Sequence, residues 1–159
     1  MFYNVSHNIK QIDSFCADEI QGGTFQWYPT CLNGNQTLKG NYLPVVDQFI
    51  NPVADHPRFK HMCKFIYEFC PADTGGVSYL YAAMARSLKE ARFQFAAQFA
   101  YIPINVAYSN FRWQTHFLNL VYAPNRGLGM MVANEVFHCV PLGKSYGRFP
   151  PTTRLTCSG

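Results

Sequence analysis

An α/β fold with a parallel sheet is what this sequence predicts, on three observations. Short runs of bulky β-formers alternate along the chain with stretches of helical periodicity. The runs are closed by Pro or Gly, as buried strands are. Hydrophobic residues make up 48% of the chain against 14% charged, a balance suited to burial.

Phe2-Tyr3-Asn4-Val5 reads as the first strand, with Ser6 or Asn8 as N-cap of a helix on which Ile9, Ile12, Phe15, Cys16 and Ile20 recur at helical spacing. Gly22-Gly23 ends that helix, and Thr24-Phe25-Gln26-Trp27-Tyr28 forms the second strand, stopped by Pro29. From Thr30 to about His61 turn signals dominate, and the apolar residues among them (Leu38, Tyr42, Leu43, Val45, Val46, Phe49, Ile50) suit an ordered binding loop. A short helix around Pro57 to Met62 leads into the third strand, Lys64-Phe65-Ile66-Tyr67-Glu68-Phe69, closed by Cys70-Pro71 and Gly75-Gly76. Val77, Leu80, Tyr81, Met84, Leu88 and Ala91 then mark a helix, and Phe93 to Tyr101 a fourth strand ended by Pro103. A loop and the segment Thr115–Tyr122 lead to a last helix, begun by Pro124 and carrying Leu128, Met131, Val132 and Val136. Residues 144–159 read as a tail. Four β/α units make half of a (β/α)8 barrel, or a small open sheet.

The 159 residues suffice for one domain or part of one, and fall short of the roughly 250 of a complete eight-stranded barrel. The net charge of +4 comes from scattered Lys and Arg, so no nucleic-acid track is expected. No apolar run approaches the ~20 residues of a membrane span. The six cysteines, at 16, 31, 63, 70, 139 and 157, contain no CxxC pair and read mainly as small buried hydrophobes. His56, His61 and Cys63 lack a second ligand cluster, so neither a metal nor a cofactor is expected.

Elimination among the nine carboxylates leaves Asp47, Glu68 and Asp73, of which Glu68 alone ends a strand. In parallel α/β folds the carboxyl ends of the strands form the ligand-binding face. Aromatics end two other strands, Trp27-Tyr28 and Tyr101, and Trp113 follows in the next loop. A carboxylate among Trp and Tyr suits a sugar, whose apolar faces stack on rings while its hydroxyls need partners such as Gln26, Gln98, Asn105 and Asn4. Retaining glycosidases need two carboxyl groups about 5 Å apart, and a second strand-end acid is not visible. The plainer reading is a structural ion pair between Glu68 and a cation such as Arg112.

Six collinear segments carry a resemblance: Gly23-Thr24-Phe25-Gln26-Trp27-Tyr28-Pro29-Thr30, Leu38-Lys39-Gly40-Asn41-Tyr42-Leu43-Pro44, Ile66-Tyr67-Glu68-Phe69, Ala82-Ala83-Met84-Ala85-Arg86-Ser87, Gln94-Phe95-Ala96-Ala97-Gln98-Phe99-Ala100-Tyr101 and Thr115-His116-Phe117-Leu118-Asn119-Leu120-Val121-Tyr122. Together, from about Phe2 to Pro150, the chain resembles bacterial β-galactosidase-like glycoside hydrolases of the retaining (β/α)8 class. The resemblance implies that residues 1–143 are a partial TIM-barrel catalytic domain, its last four β/α units. Glu68 then ends the seventh strand as the nucleophile. The acid/base of this class ends the fourth strand, which lies outside this chain, so the chain alone is expected to be inactive.

Trp27, Tyr28, Tyr101 and Trp113 are the expected sugar platform, with Gln26 and Gln98 as hydroxyl partners; His116 is either a further partner or a buried structural histidine. The expected ligand is an oligo- or polysaccharide, and a half barrel is expected to self-associate through its exposed sheet edges. A signal peptide on a longer parent would place the protein in the periplasm or outside the cell. The rival reading is a non-catalytic carbohydrate-binding α/β module in which Glu68 only accepts a hydroxyl. A third is a structural remnant with Trp27 and Tyr101 packed away from any cleft.

Overall fold

A computed structural model describes residues 2–4, 13, 19–29, 41–47, 57–71, 78–109 and 118–150. The sheet contains β1 (Phe2–Asn4), β2 (Gly22–Trp27), β3 (Cys63–Phe69) and β4 (Phe95–Gln98), in that spatial order. Every neighbouring pair is parallel. Four helices accompany it among the described residues: α1 (Leu43–Val46), α2 (Tyr79–Glu90), α3 (Ile104–Ala107) and α4 (Pro124–Cys139). A 3-10 turn at Pro57–His61 leads into β3. The chain is therefore α/β with a parallel sheet in sequential order. The first expected helix, over Ile9–Ile20, lies largely outside the described residues.

Alternation along the strands divides the sheet into two faces. On one, Phe25, Trp27, Ile66 and Phe69 join Leu80, Tyr81, Met84 and Leu88 of α2 and Ala133 of α4 in a single core. Phe25 anchors it, with the Phe59 and Phe93 rings edge-on at 5.5 and 5.6 Å. Thr24, Gln26, Phe65 and Tyr67 stand on the opposite, less covered face, where the rings of Phe65 and Phe95 meet edge-on at 5.5 Å.

The helix α2 forms because Leu80, Tyr81, Met84 and Leu88 make an apolar stripe, all buried. It ends where Arg92 turns to φ 65 and the Phe93 amide donates to the Leu88 carbonyl at 2.9 Å. That reversal inserts Phe93 into the core, so the fourth strand is shorter than the expected 93–101. Tyr101 keeps only an isolated parallel bridge to Leu118.

Two other expectations need correction. The supposed binding loop around Val45 contains α1, since Pro44 suits a first helical turn and Val46 is buried in the core. Among the described cysteines only Cys70 is buried, whereas Cys63 and Cys139 are exposed and all three are free thiols. Cys63 opens β3 and Cys139 closes α4, and element ends lie at the margin of the packing. Among the described residues no helix is long and apolar enough to cross a membrane.

Residues 144–150 lack regular structure yet are fastened to the body. The Asp47 carboxylate accepts from Arg86 Nη2 at 2.6 Å and from the Phe149 amide, while Arg148 Nη1 donates to the Asp47 carbonyl. The Arg86 guanidinium lies over the Phe149 ring, 3.9 Å from its centroid.

Candidate functional site

The direction of Glu68 is set by an irregularity in β3. Partners run Phe25 with Ile66 and then Gln26 with Glu68, so the register skips Tyr67. Strict alternation would put Glu68 on the helix side with Lys64 and Ile66. The bulge lets Tyr67 and Glu68 both stay off that side and returns Phe69 to it, where its ring meets Tyr81 at 6.2 Å. Glu68 thereby shares a face with Gln26.

Two neutral donors converge on one oxygen of that carboxylate. Gln26 Nε2 and Tyr28 Oη each donate to Glu68 Oε2 at 2.7 Å. Gln26 and Tyr28 are two residues apart, so the tip of β2 presents both to the same side. Burial, and next the bond to Glu68, push the Tyr28 phenol above its ordinary range, so it remains a donor. Oε1 makes no hydrogen bond among the described residues. The site is a half-buried carboxylate with one oxygen fixed and the other free of hydrogen bonds among the described residues. No described cation pairs with it, and Arg112, the cation of the ion-pair reading, lies outside the described residues.

The other expected site residues are not all brought to Glu68. Trp27 is only 5% exposed and belongs to the core, because it shares strand parity with Phe25, so its ring offers no open platform. Gln98 pairs in register with Phe69 and stands on the helix side, where Nε2 lies 3.5 Å from Cys70 Sγ and donates to the Phe99 carbonyl at 2.9 Å. It is thus on the opposite side of the sheet from Glu68. Tyr101 is 57% exposed, beyond the end of β4, and Asn105 is exposed on α3. Trp113 and His116 lie outside the described residues, and so does the side chain of Asn4.

Sequence reasoning missed a buried polar cluster behind the tip of β3. Cys70 Sγ lies 3.7 Å from Tyr81 Oη, 3.5 Å from Gln98 Nε2 and 4.0 Å from Arg126 Nη1. Burial first, and then Cys70, push the Tyr81 phenol above its ordinary range, against the lowering pull of Arg126. A cation in the first turn of α4, followed by the small and apolar residues 127–133, was the available signal for Arg126. Asp47 had survived elimination, but its role as anchor of the 144–150 segment needed the fold.

Among the described residues no group of three or more His, Cys, Asp or Glu could hold a metal ion. No protein-family model matches the chain, and no curated protein or solved structure matches it.

Proposed function

We propose that this chain carries the nucleophile-bearing part of a β-galactosidase-like retaining glycoside hydrolase, equivalent to the last four β/α units of a (β/α)8 barrel. The observation that carries the reading is the fixation of Glu68 Oε2 by Gln26 and Tyr28 at 2.7 Å each, with Oε1 unbonded among the described residues, at the carboxyl end of a parallel strand. The sequential parallel order of the strands supports the barrel.

In this reading Oε1 of Glu68 attacks the anomeric carbon and forms an ester bond to it. The bond to the leaving oxygen breaks, and that oxygen keeps the electron pair and takes a proton from an acid supplied outside this chain. Water then adds at the anomeric carbon, the same group removes its proton, and the ester bond breaks to restore the carboxylate. Gln26 and Tyr28 hold the carboxylate in position throughout.

Mechanism-based 2-fluoroglycosides with activated leaving groups, galactosyl included, test this directly, because an activated leaving group needs no protonation. The expected result is one covalent adduct by intact mass, located on Glu68 and absent from Glu68→Gln. Saturable sugar binding without any adduct would sink the hydrolase and leave a carbohydrate-binding module.

A further inference from the structure

We propose that a cavity beside the C-terminal end of α2 binds a small α-amino acid, its ammonium set against Glu90 and its carboxylate against Arg148. The inference stands apart from the hydrolase reading. The cavity measures about 150 Å³ and lies where the end of α1, the last turn of α2 and the 144–150 segment meet. Val46, Asp47, Ser87, Glu90, Ala91 and Arg148 line it. Because α2 links two parallel strands it runs back against them, so its last turn lies toward the amino ends of the sheet and away from Glu68.

The lining calls for a ligand that carries both charges. Glu90 and Arg148 share this small space yet form no ion pair with each other, and Glu90 has no ion pair or hydrogen bond among the described residues. Ser87 Oγ, one turn before Glu90 on α2, is buried and has no hydrogen-bond partner. A group inside the cavity that bonds it removes the cost of an orphaned hydroxyl. Arg148 Nη1 donates to the Asp47 carbonyl, which holds the guanidinium and leaves its other donors for a carboxylate. Asp47 itself is satisfied by Arg86 and the Phe149 amide. The C-terminal end of α2 adds partial negative charge on the Glu90 side, where an ammonium is favoured. Size limits the ligand: a cavity of about 150 Å³ takes a benzene-sized molecule of about six non-hydrogen atoms, which is the size of alanine. Such a ligand bridges α2 to Arg148 and so fastens the 144–150 segment.

Isothermal titration of the full chain with L-alanine tests the proposal. The expected result is saturable binding at a single site per chain, with acetate and methylammonium, each carrying only one of the charges, weaker by about tenfold or more. Glu90→Gln and Arg148→Gln are each expected to weaken alanine by about tenfold or more, the loss of a charge-assisted hydrogen bond. Ser87→Ala removes the unpartnered hydroxyl and gains helix propensity, so it should melt no lower than the unaltered protein while binding alanine several-fold more weakly.

Hydrogen exchange at the Phe149 amide, which donates to Asp47, reads the fastening of the 144–150 segment without a variant, and saturating L-alanine is expected to slow it. No saturable binding of glycine or L-alanine, acetate or methylammonium binding as well as alanine, affinity undiminished in both Glu90→Gln and Arg148→Gln, or exchange at Phe149 unchanged by alanine would overturn the proposal. Glu68→Gln is expected to bind alanine like the unaltered chain, so failure of this site and failure of the nucleophile assignment are read separately.

Discussion

Gly127 and Gly129, two residues apart in α4 and so on opposite faces of it, are expected to respond oppositely to alanine. At Gly129 a Cβ would stand 2.7 Å from the Ser78 carbonyl oxygen, 3.0 Å from Tyr81 Cδ2 and 3.1 Å from Ser78 Cβ. The carbonyl is backbone and the Tyr81 ring is fully buried, so neither can swing aside. Overpacking of this kind costs about 1–3 kcal/mol, and the helix propensity gained from Gly to Ala returns about 1 kcal/mol. Near the middle of that range the net loss is about 1 kcal/mol. With an unfolding entropy of about 2.1 cal/mol/K per residue over this chain, the melting temperature should fall by about 3 °C. At Gly127 the neighbour is the end of the Leu120 side chain, which is 62% exposed and free to turn into solvent. Gly127→Ala should therefore be neutral or raise the melting temperature by up to about 3 °C. Thermal melts by circular dichroism at one fixed protein concentration measure both. Gly129→Ala melting at or above the unaltered protein would refute the close packing of α4 on α2.

Asp47→Ala leaves the Arg86 guanidinium partly buried without its carboxylate and is expected to cost about 3 kcal/mol by urea unfolding, much of it recovered in Asp47→Ala/Arg86→Met. Under the proposed hydrolase reading, Tyr28→Phe should slow glycosylation of Glu68 by about tenfold in labelling time courses, near the lower end of what one hydrogen bond to a charged group is worth. Burial and then Arg92 hold the Lys64 ammonium below its ordinary range, so the folded chain binds fewer protons than the unfolded one as pH nears that range. Stability from this group rises with pH there, and Lys64→Met should raise the urea midpoint at neutral pH. The Tyr28 and Tyr81 phenols are displaced the other way, so their contribution is whole below the unfolded phenol value of about 10 and is lost as pH climbs past it. Tyr81→Phe should flatten the alkaline fall of the urea midpoint.

The third strand, α2 and α4 were legible because each is a single strong pattern: a short apolar run closed by Pro, or apolar residues at helical spacing. Glu68 at a strand end followed from the first of these. What periodicity did not convey was phase. Counting from Ile66 would send Glu68 toward the helices, and only the bulge at Tyr67 gives it to the other face. Trp27 was open to the same count and was misread: it stands two residues from Phe25, so a strand that buries one buries the other. Gln98 was assigned by proximity to a strand end, whereas its side is decided by register with Phe69. The bonds from Gln26 and Tyr28 to Glu68 span 42 and 40 residues, a separation at which no local pattern speaks.

The bulge also determines where β3 can change length. Tyr67 is the surplus residue of the strand: the ladder closes on either side of it, and Gln26 faces Glu68 with or without it. Removing Tyr67 would straighten the strand while leaving the carboxylate opposite its amide partner. An insertion or deletion among the residues before it has no such slack, and the strand would have to trade the burial of Lys64 and Ile66 against the aim of Glu68. Variation in length is thus absorbed at one position, next to the carboxylate that Gln26 and Tyr28 hold.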